Sequence, residues 1–337
     1  MLKKLLKFGF LAFVLLCIAA GTLYLDYQRW LTTPVHEGDQ AHYLDVASGT
    51  SFRALLSQLE SEELLERPRY FEFLARHRGD AGRIRAGEYA IEPGITPAGL
   101  LDQLVRGRVI QYRFTLIEGW TFNQLRSALE ADPRITNTIA ELDDDEIMER
   151  LGRPETHPEG WFYPETYTFP RGTTDMDVLR WSLAAMEQAL EQTWENRQEG
   201  IPLESPYEAL ILASIIERET GQPHERGKVA GVFTRRLEIG MRLQTDPTVI
   251  YGMGDQYDGR IRTRDLRTDT PYNTYTRHGL PPTPIAMPSG AAIAAAVNPE
   301  PGEALYFVSR GDGTHHFSAT LEEHNRAVRR YILGRDD

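Results

Sequence analysis

The pattern of apolar and polar positions separates an N-terminal apolar segment from a long series of short helices and strands. Residues 8–25 carry no charge, and three lysines precede them. Eighteen helical residues extend about 27 Å, which is enough to cross the hydrocarbon core of a bilayer. The pattern predicts a membrane-spanning helix at 8–25, with residues 1–7 in the cytoplasm and the remainder outside. A cleaved signal peptide is the alternative, although the match to a cleavage site is weak.

The region after this segment alternates between strand and helix signals. Residues 32–40 are polar and predict a linker. Helix-start residues followed by apolar residues at helical spacing predict helices from Ser51 and from Thr96, and alternation predicts a strand at 87–93. The order of strand, glycine turn, hydroxyl N-cap and helix resembles LysM domains, which bind glycans that contain N-acetylglucosamine. We therefore predict a LysM-like α+β subdomain at 41–108. A packing unit without a ligand is the alternative.

The remaining residues, 109–337, mix helices with short strands, so the fold class predicted for the chain is α+β. Segments 240–254 and 258–279 are rich in turn residues and predict loops. Periodicity and helix-start signals predict a strand at 109–118, a hairpin within 305–318, and helices at 142–151, 175–198, 206–220, 226–239, 291–296 and 321–333.

The helix at 206–220 differs from the others because apolar side chains occupy all of its faces, which predicts a buried helix. Glu217 lies near its end. Burial and the negative end of the helix dipole both disfavour a charged carboxylate there, and a carboxyl group that keeps its proton suits a general acid. Glu219 lies about 200° farther around the helix, so we expect it to form a separate cap or an ion pair with an arginine of the next helix. The alternative is that both carboxylates simply meet solvent.

Composition and the absence of several sequence motifs exclude some classes of partner and of catalytic site. A net charge of −12 argues against nucleic acid as a partner. Cys17 is the single cysteine and lies in the predicted span, which leaves no disulfide and no cysteine nucleophile outside it. His315 and His316 are adjacent and point to opposite faces of a strand, and no metal-ligand spacing, phosphate loop, dinucleotide fingerprint or serine elbow occurs. We predict no metal, no cofactor, and acid/base chemistry on an extracytoplasmic polymer.

Several segments carry a more specific signal. They are EGW at 159–161, PETY at 164–167, LASIIERET at 212–220, KVAGVFTRRL at 228–237, GMRLQTDPTVIYG at 240–252, YNTY at 272–275 and GLPPTPI at 279–285. In this order they resemble the YceG-like family, whose bacterial members are endolytic murein transglycosylases. The resemblance covers nearly all of the chain and implies that 109–337 is the catalytic domain.

The resemblance implies a type of reaction and a cellular location. The reaction is non-hydrolytic cleavage of the β-1,4 bond between N-acetylmuramic acid and N-acetylglucosamine in nascent peptidoglycan, which leaves 1,6-anhydro ends; Glu217 is the implied catalytic residue. The place is the bacterial inner membrane, with peptidoglycan synthases as implied partners. The alternatives are a peptidoglycan hydrolase, for which Asp246 is the best second carboxylate, and a non-catalytic glycan-binding scaffold of the cell-wall synthesis machinery.

Four residues of the loop-rich segments are candidates to bind substrate: Gln244, Asp246, Tyr272 and Asn273. Their amide, carboxylate and hydroxyl groups suit the N-acetyl and hydroxyl groups of a sugar. The alternative is turn formation, because Thr-Asp-Pro at 245–247 and the asparagine are both common in turns.

Overall fold

The computed structural model describes residues 2–335, with side chains from residue 6 onward. The chain divides into two compact units. The first contains the chain up to Tyr112 together with Thr168–Gly172, and the second contains Arg113–Tyr167 and the chain from Thr173 onward. Helices and two-stranded sheets occur in the chain, so the predicted α+β class is confirmed.

The N-terminal apolar segment forms one helix, α1 (Leu2–Thr32). Its part Leu6–Thr32 is long and apolar enough to cross a membrane. Its apolar side chains are exposed along the predicted span, which fits a helix whose surroundings are lipid. The predicted tail at 1–7 lies mostly outside the residues whose side chains are described.

The last turns of α1 pack against the rest of the first unit. Asp26 accepts a hydrogen bond of 2.8 Å from the hydroxyl of Tyr70. Trp30 packs edge-on against the same tyrosine ring, with 5.6 Å between centroids. These contacts explain why the helix continues past residue 25. The linker predicted at 32–40 corresponds to residues 33–41, between α1 and the first strand. It is attached to the first unit, because the amide of Val35 donates to the carbonyl of Ile95 at 2.8 Å.

The first unit packs three further helices on an antiparallel pair of strands. Tyr43 faces Ala90 in the register. Alternate side chains are buried on the first strand, whereas the second strand buries Glu88, Tyr89 and Ile91. Ser51 caps the first of these helices, as predicted, by accepting from the amide of Ala54. The elements are β1 (His42–Val46), α2 (Phe52–Ser61), α3 (Pro68–His77), β2 (Gly87–Ile91) and α4 (Pro97–Arg106). Nothing in this arrangement identifies a glycan site, and the LysM-like assignment stays a prediction.

The second unit is built around one buried helix. Two strands have residues in each unit, β3 (Tyr112–Thr115) and β4 (Thr166–Phe169). The other elements of the second unit are α5 (Phe122–Ala131), α6 (Asp144–Arg150), α7 (Asp175–Glu195), α8 (Pro206–Glu219), α9 (Arg226–Glu238), α10 (Asp246–Met253), α11 (Thr263–Arg267), α12 (Gly290–Val297), β5 (Tyr306–Ser309), β6 (His315–Ser318) and α13 (Leu321–Tyr331). The predicted hairpin is confirmed as β5 and β6.

Helix α8 is the buried helix that the sequence predicts. The eight side chains from Ala209 to Ile216 are all buried. The hydroxyl of Ser205 accepts from the amide of Glu208, and Pro206 occupies the first turn, so the helix begins where its capping residues place it. Helices α7, α9, α10 and α12 pack around it, and the small side chains of α12 allow close approach. This packing holds the C-terminal end of α8 in a defined position relative to the surrounding helices.

One of the two loop predictions is wrong. The segment 240–254 contains α10, because Asp246 and Pro247 open a helix instead of closing a turn. The segment 258–279 contains the short helix α11 and has no other helix or strand, so the loop-rich prediction is confirmed for most of its length. The strand predicted at 109–118 is confirmed only in its middle.

Candidate active site

Glu217 lies in the last turn of α8, and its side chain is only 7% exposed. Its carboxylate contacts Ser289, which is distant in sequence. The backbone amide of Ser289 donates to Oε2 at 3.0 Å, and the hydroxyl of the same serine donates a short hydrogen bond to the same oxygen. One carboxylate oxygen is thus held by two donors from a single residue.

Backbone contacts place Ser289 beside α8. The amide of Ile285 donates to the hydroxyl of Ser214 on that helix at 3.0 Å. Met287 then exchanges backbone hydrogen bonds with Gly119 and Trp120. Ser289 itself is the N-cap of α12, where its hydroxyl oxygen accepts from the third amide of the helix. Because this oxygen already accepts from a helix amide, its proton is directed at Glu217.

Arg226, in the first turn of α9, is the cation that faces this carboxylate. Its Nη2 atom lies 3.5 Å from Oε1 of Glu217 and 3.9 Å from Oε2 of Glu118. Hydrogen-bond donors and a nearby guanidinium stabilise a charged carboxylate, and this opposes the cost of burying it. The sequence argument considered burial and the helix dipole alone. It missed Arg226 and Ser289, because the contacts with them depend on tertiary packing.

Glu219 occupies a different environment. It accepts a short hydrogen bond from the hydroxyl of Thr245, and burial raises its pKa to about 7. The expected ion pair with an arginine of the next helix is wrong for this residue: among the described residues, α9 supplies that ion pair to Glu217, through Arg226. The two carboxylates of the motif therefore contact separate segments of the chain.

Gln244 and Asp246 lie with Glu219. All three line a cavity of about 420 Å³. Asp246 accepts a hydrogen bond of 2.6 Å from the hydroxyl of Tyr275. Gln244 has a φ of +49°, a conformation that is uncommon for a residue with a side chain and that often accompanies functional sites. Neither residue contacts Glu217 in the described hydrogen bonds.

Tyr272 lines a second, larger cavity of about 820 Å³, to which Arg218 also contributes. Its hydroxyl lies 2.8 Å from that of Thr283, and its ring packs against Tyr251. This cavity adjoins the end of α8 through Arg218, the residue that follows Glu217. Tyr272 therefore lines the same cavity as Arg218, whereas Glu217 is not among the residues that line it.

Asn273 is fully buried and acts within its own loop. Its side-chain amide donates to the carbonyl oxygens of Asp265, Leu266 and Thr268. Its side-chain oxygen accepts from the amide of Tyr275. These contacts use the hydrogen-bonding groups of the side chain to hold the segment between α11 and α12, which is the turn-forming role that the sequence left open.

Glu159 is a buried carboxyl group that the chemical argument from sequence did not single out. It lines the 820 Å³ cavity, and its oxygens accept from the amide of Phe122 at 3.1 and 3.3 Å. Burial raises its pKa to about 7, against the lowering effect of that hydrogen bond. The signal available in the sequence was its position in the EGW segment.

The histidines form no metal cluster. His315 bonds Glu225 through Nδ1 at 2.8 Å and through its backbone amide at 3.0 Å. Across residues 2–335, no group of three or more His, Cys, Asp or Glu side chains has the arrangement of a metal site. The described residues that contact the Glu217 carboxyl at the end of α8 are a serine and an arginine.

Comparison with known proteins identifies the family. The model of the YceG-like family matches residues 44–330. The chain belongs to the YceG-like family. A relative from Bacillus subtilis (strain 168), named endolytic murein transglycosylase, is 30% identical over 329 residues, which cover 92% of this chain and 91% of the relative. A relative of the same name from Streptococcus pneumoniae serotype 2 is 26% identical, and the match spans 96% of this chain but 64% of that longer protein.

A solved structure supports the same assignment. The crystal structure of a YceG-like protein from Listeria monocytogenes aligns with a TM-score of 0.55 and 27% sequence identity, covering 86% of this chain and all of that one. The family match begins in β1 and ends in α13, so it includes residues of both units of this YceG-like chain.

Proposed function

We propose that the chain is an endolytic murein transglycosylase that cleaves nascent peptidoglycan strands. The observation that carries the proposal is the Glu217 carboxyl, fixed at the end of a buried helix by Ser289. The names of the relatives from Bacillus and Streptococcus supply the substrate class and the type of reaction. Peptidoglycan synthases are included as partners on the basis of the family resemblance.

One carboxyl group can perform both proton transfers of such a reaction. Protonated Glu217 donates its proton to the glycosidic oxygen as the bond from that oxygen to C1 of the muramic acid breaks. The resulting carboxylate takes the proton of the C6 hydroxyl of the same sugar, and the C6 oxygen bonds to C1. The sugar ends as a 1,6-anhydro ring, no water is consumed, and Glu217 is protonated again.

The expected product distinguishes this function from the alternatives. Full-length protein in detergent is incubated with purified glycan strands in water enriched in ¹⁸O, and the new ends are analysed by mass spectrometry. We expect anhydro ends without ¹⁸O. Reducing ends that carry ¹⁸O would contradict the proposal in favour of a hydrolase, and uncleaved strands would favour a glycan-binding scaffold.

The proposal assigns residues 41–108 as a LysM-like glycan-binding subdomain and 109–337 as the catalytic domain. It places Gln244, Asp246 and Tyr272 along the bound strand. The cavities that they line have the polar groups that sugar hydroxyl and N-acetyl groups require. Asn273 supports that surface through the loop it holds.

The proposal also makes α1 a single-pass anchor in the inner membrane, with its N-terminus in the cytoplasm. We expect the full-length protein to sediment with membranes at its uncleaved mass and a variant lacking residues 2–25 to be soluble. This truncation keeps Asp26 and Trp30, which contact Tyr70 of the first unit, so the unit should fold. A shorter mature mass in cells would instead identify a signal peptide.

A further inference from the structure

We propose that Arg226 is a positioning residue that moves between Glu217 and Glu118 and thereby sets when Glu217 carries its proton. The proposal rests on the catalytic role of Glu217 given above. It assigns a function to two residues, one on α9 and one after β3, that neither the sequence argument nor the comparisons single out.

The two oxygens of the Glu217 carboxyl group have different surroundings. Oε2 accepts both donors of Ser289, the amide at 3.0 Å and the hydroxyl. In the described part of the chain, the contact of Oε1 is Nη2 of Arg226 at 3.5 Å. Because Oε2 is held by two donors, Oε1 is the oxygen that can exchange a proton with a sugar, and Arg226 lies in front of it.

Arg226 is largely shielded from solvent, but its ion-pair contacts are long. Its side chain is 13% exposed, but its contacts at 3.5 and 3.9 Å are longer than the 2.7–2.9 Å typical of charge-assisted hydrogen bonds. Its Nε atom is buried and has no hydrogen-bond partner among the described residues. Arginine normally binds a carboxylate through two parallel hydrogen bonds. Neither carboxylate receives such a pair here, so little is lost when the guanidinium shifts from one to the other.

Movement of the Arg226 guanidinium would change the preferred protonation state of Glu217. With Arg226 at Oε1, the positive charge favours the carboxylate, which is the form required to accept the C6 proton. With Arg226 at Glu118, which is 54% exposed, Oε1 is unobstructed and burial favours the protonated form. A sugar that enters between the guanidinium and Oε1 therefore meets a proton donor.

The other charged groups near the end of α8 form hydrogen bonds with residues other than Glu217. The guanidinium of Arg218 donates to the carbonyl of Gly119 at 3.0 Å. Glu219 bonds Thr245, and Glu225 at the start of α9 bonds His315 of β6. Arg226 and Glu118 are thus the charges that face Glu217 in the described region.

The test is the pH profile of anhydro-end formation by the full-length protein in detergent. The alkaline limb of this profile reports loss of the proton donor. In Arg226→Gln, we expect the limb to move to higher pH by about one unit, because an opposite charge at this distance shifts such a group by that order. In Glu118→Gln, Arg226 has no second partner, so the limb should move to lower pH.

A variant with both Arg226→Gln and Glu118→Gln shows whether Glu118 acts through Arg226 or by its own charge on Glu217. If Glu118 acts through Arg226, Glu118→Gln causes no further shift in the Arg226→Gln background. An equal shift in both backgrounds would mean that Glu118 acts on Glu217 directly, and the proposal would be wrong. Loss of all cleavage in Glu118→Gln alone would also overturn it, since that result would make Glu118 a catalytic carboxylate.

Two controls complete the design. Arg226→Lys keeps the charge and should restore most of the wild-type limb, whereas Arg277→Gln removes a surface guanidinium paired with Asp269 and should leave the profile unchanged. Thermal melting shows that each variant is folded. If Glu217→Gln abolishes cleavage while folded Arg226→Gln has the wild-type profile, the inference fails and the proposed function stands. If Glu217→Gln still cleaves, the proposed function fails instead.

Discussion

Replacing Glu217 with glutamine is expected to reduce the rate of anhydro-end formation by about 10³–10⁴-fold, the upper range of what a positioned proton-transfer group contributes. Glutamine has the same shape, and its side-chain oxygen can still accept from Ser289, so the end of α8 should stay in place. The amide cannot donate a proton to the glycosidic oxygen or accept one from the C6 hydroxyl. Both transfers are lost, because the same group performs them.

The matched comparison is Glu219→Gln, two positions farther on in the same motif. This residue bonds Thr245 and has no described contact with Glu217. A proton-transfer group typically contributes at least about a hundredfold to the rate, so we expect Glu219→Gln to reduce the rate of anhydro-end formation by less than that. Rates are measured by mass spectrometry of strand ends, with thermal melting to verify folding. A larger loss in Glu219→Gln than in Glu217→Gln would transfer the catalytic role to the other face of the helix.

The elements that the sequence predicted well are those whose signal is local. Helix α8 follows from an uninterrupted apolar run after Ser205 and Pro206, and α2 follows from its serine N-cap. Helix α10 was missed because an aspartate followed by proline occurs both in turns and in first helical turns. Strands β1 and β4 were missed because four or five residues carry little periodicity and their partners are distant in the chain.

Of the residues that contact one another at the end of α8, the sequence singled out Glu217 and gave no indication of Ser289 or Arg226. Glu217 is identified by its position at the end of a buried helix, which a single segment of sequence contains. Ser289 lies 72 residues away, and it reaches Glu217 only because Ser214 and Gly119 hold the intervening chain. The contacts of the carboxyl thus come from distant segments of the chain, so the sequence argument from burial and the helix dipole was incomplete.

The second large expected effect is a decrease in the free energy of unfolding as the pH rises, caused by Glu159. Glu159 has a pKa of about 7 in the folded protein, against an ordinary value of 4.5, because it is buried beside the large cavity. The folded state therefore binds more protons than the unfolded state between these values. The stability that Glu159 contributes is fully present below about pH 4.5 and is lost as pH rises through 7, by about 3 kcal/mol in total. The pKa of Glu219 is raised in the same sense and adds to the trend.

Glu159→Gln should remove this dependence. The glutamine is neutral at every pH and can accept from the amide of Phe122 through its side-chain oxygen, so no charge has to be buried when the pH rises. We expect the variant to melt at a higher temperature than the wild type at pH 8 and to show a flatter profile between pH 5 and 8, measured by scanning fluorimetry. Glu191→Gln, an exposed carboxylate on α7, should keep the wild-type slope. Equal slopes for Glu159→Gln and the wild type would show that Glu159 is ionised in the folded protein, with the amide of Phe122 compensating for its burial.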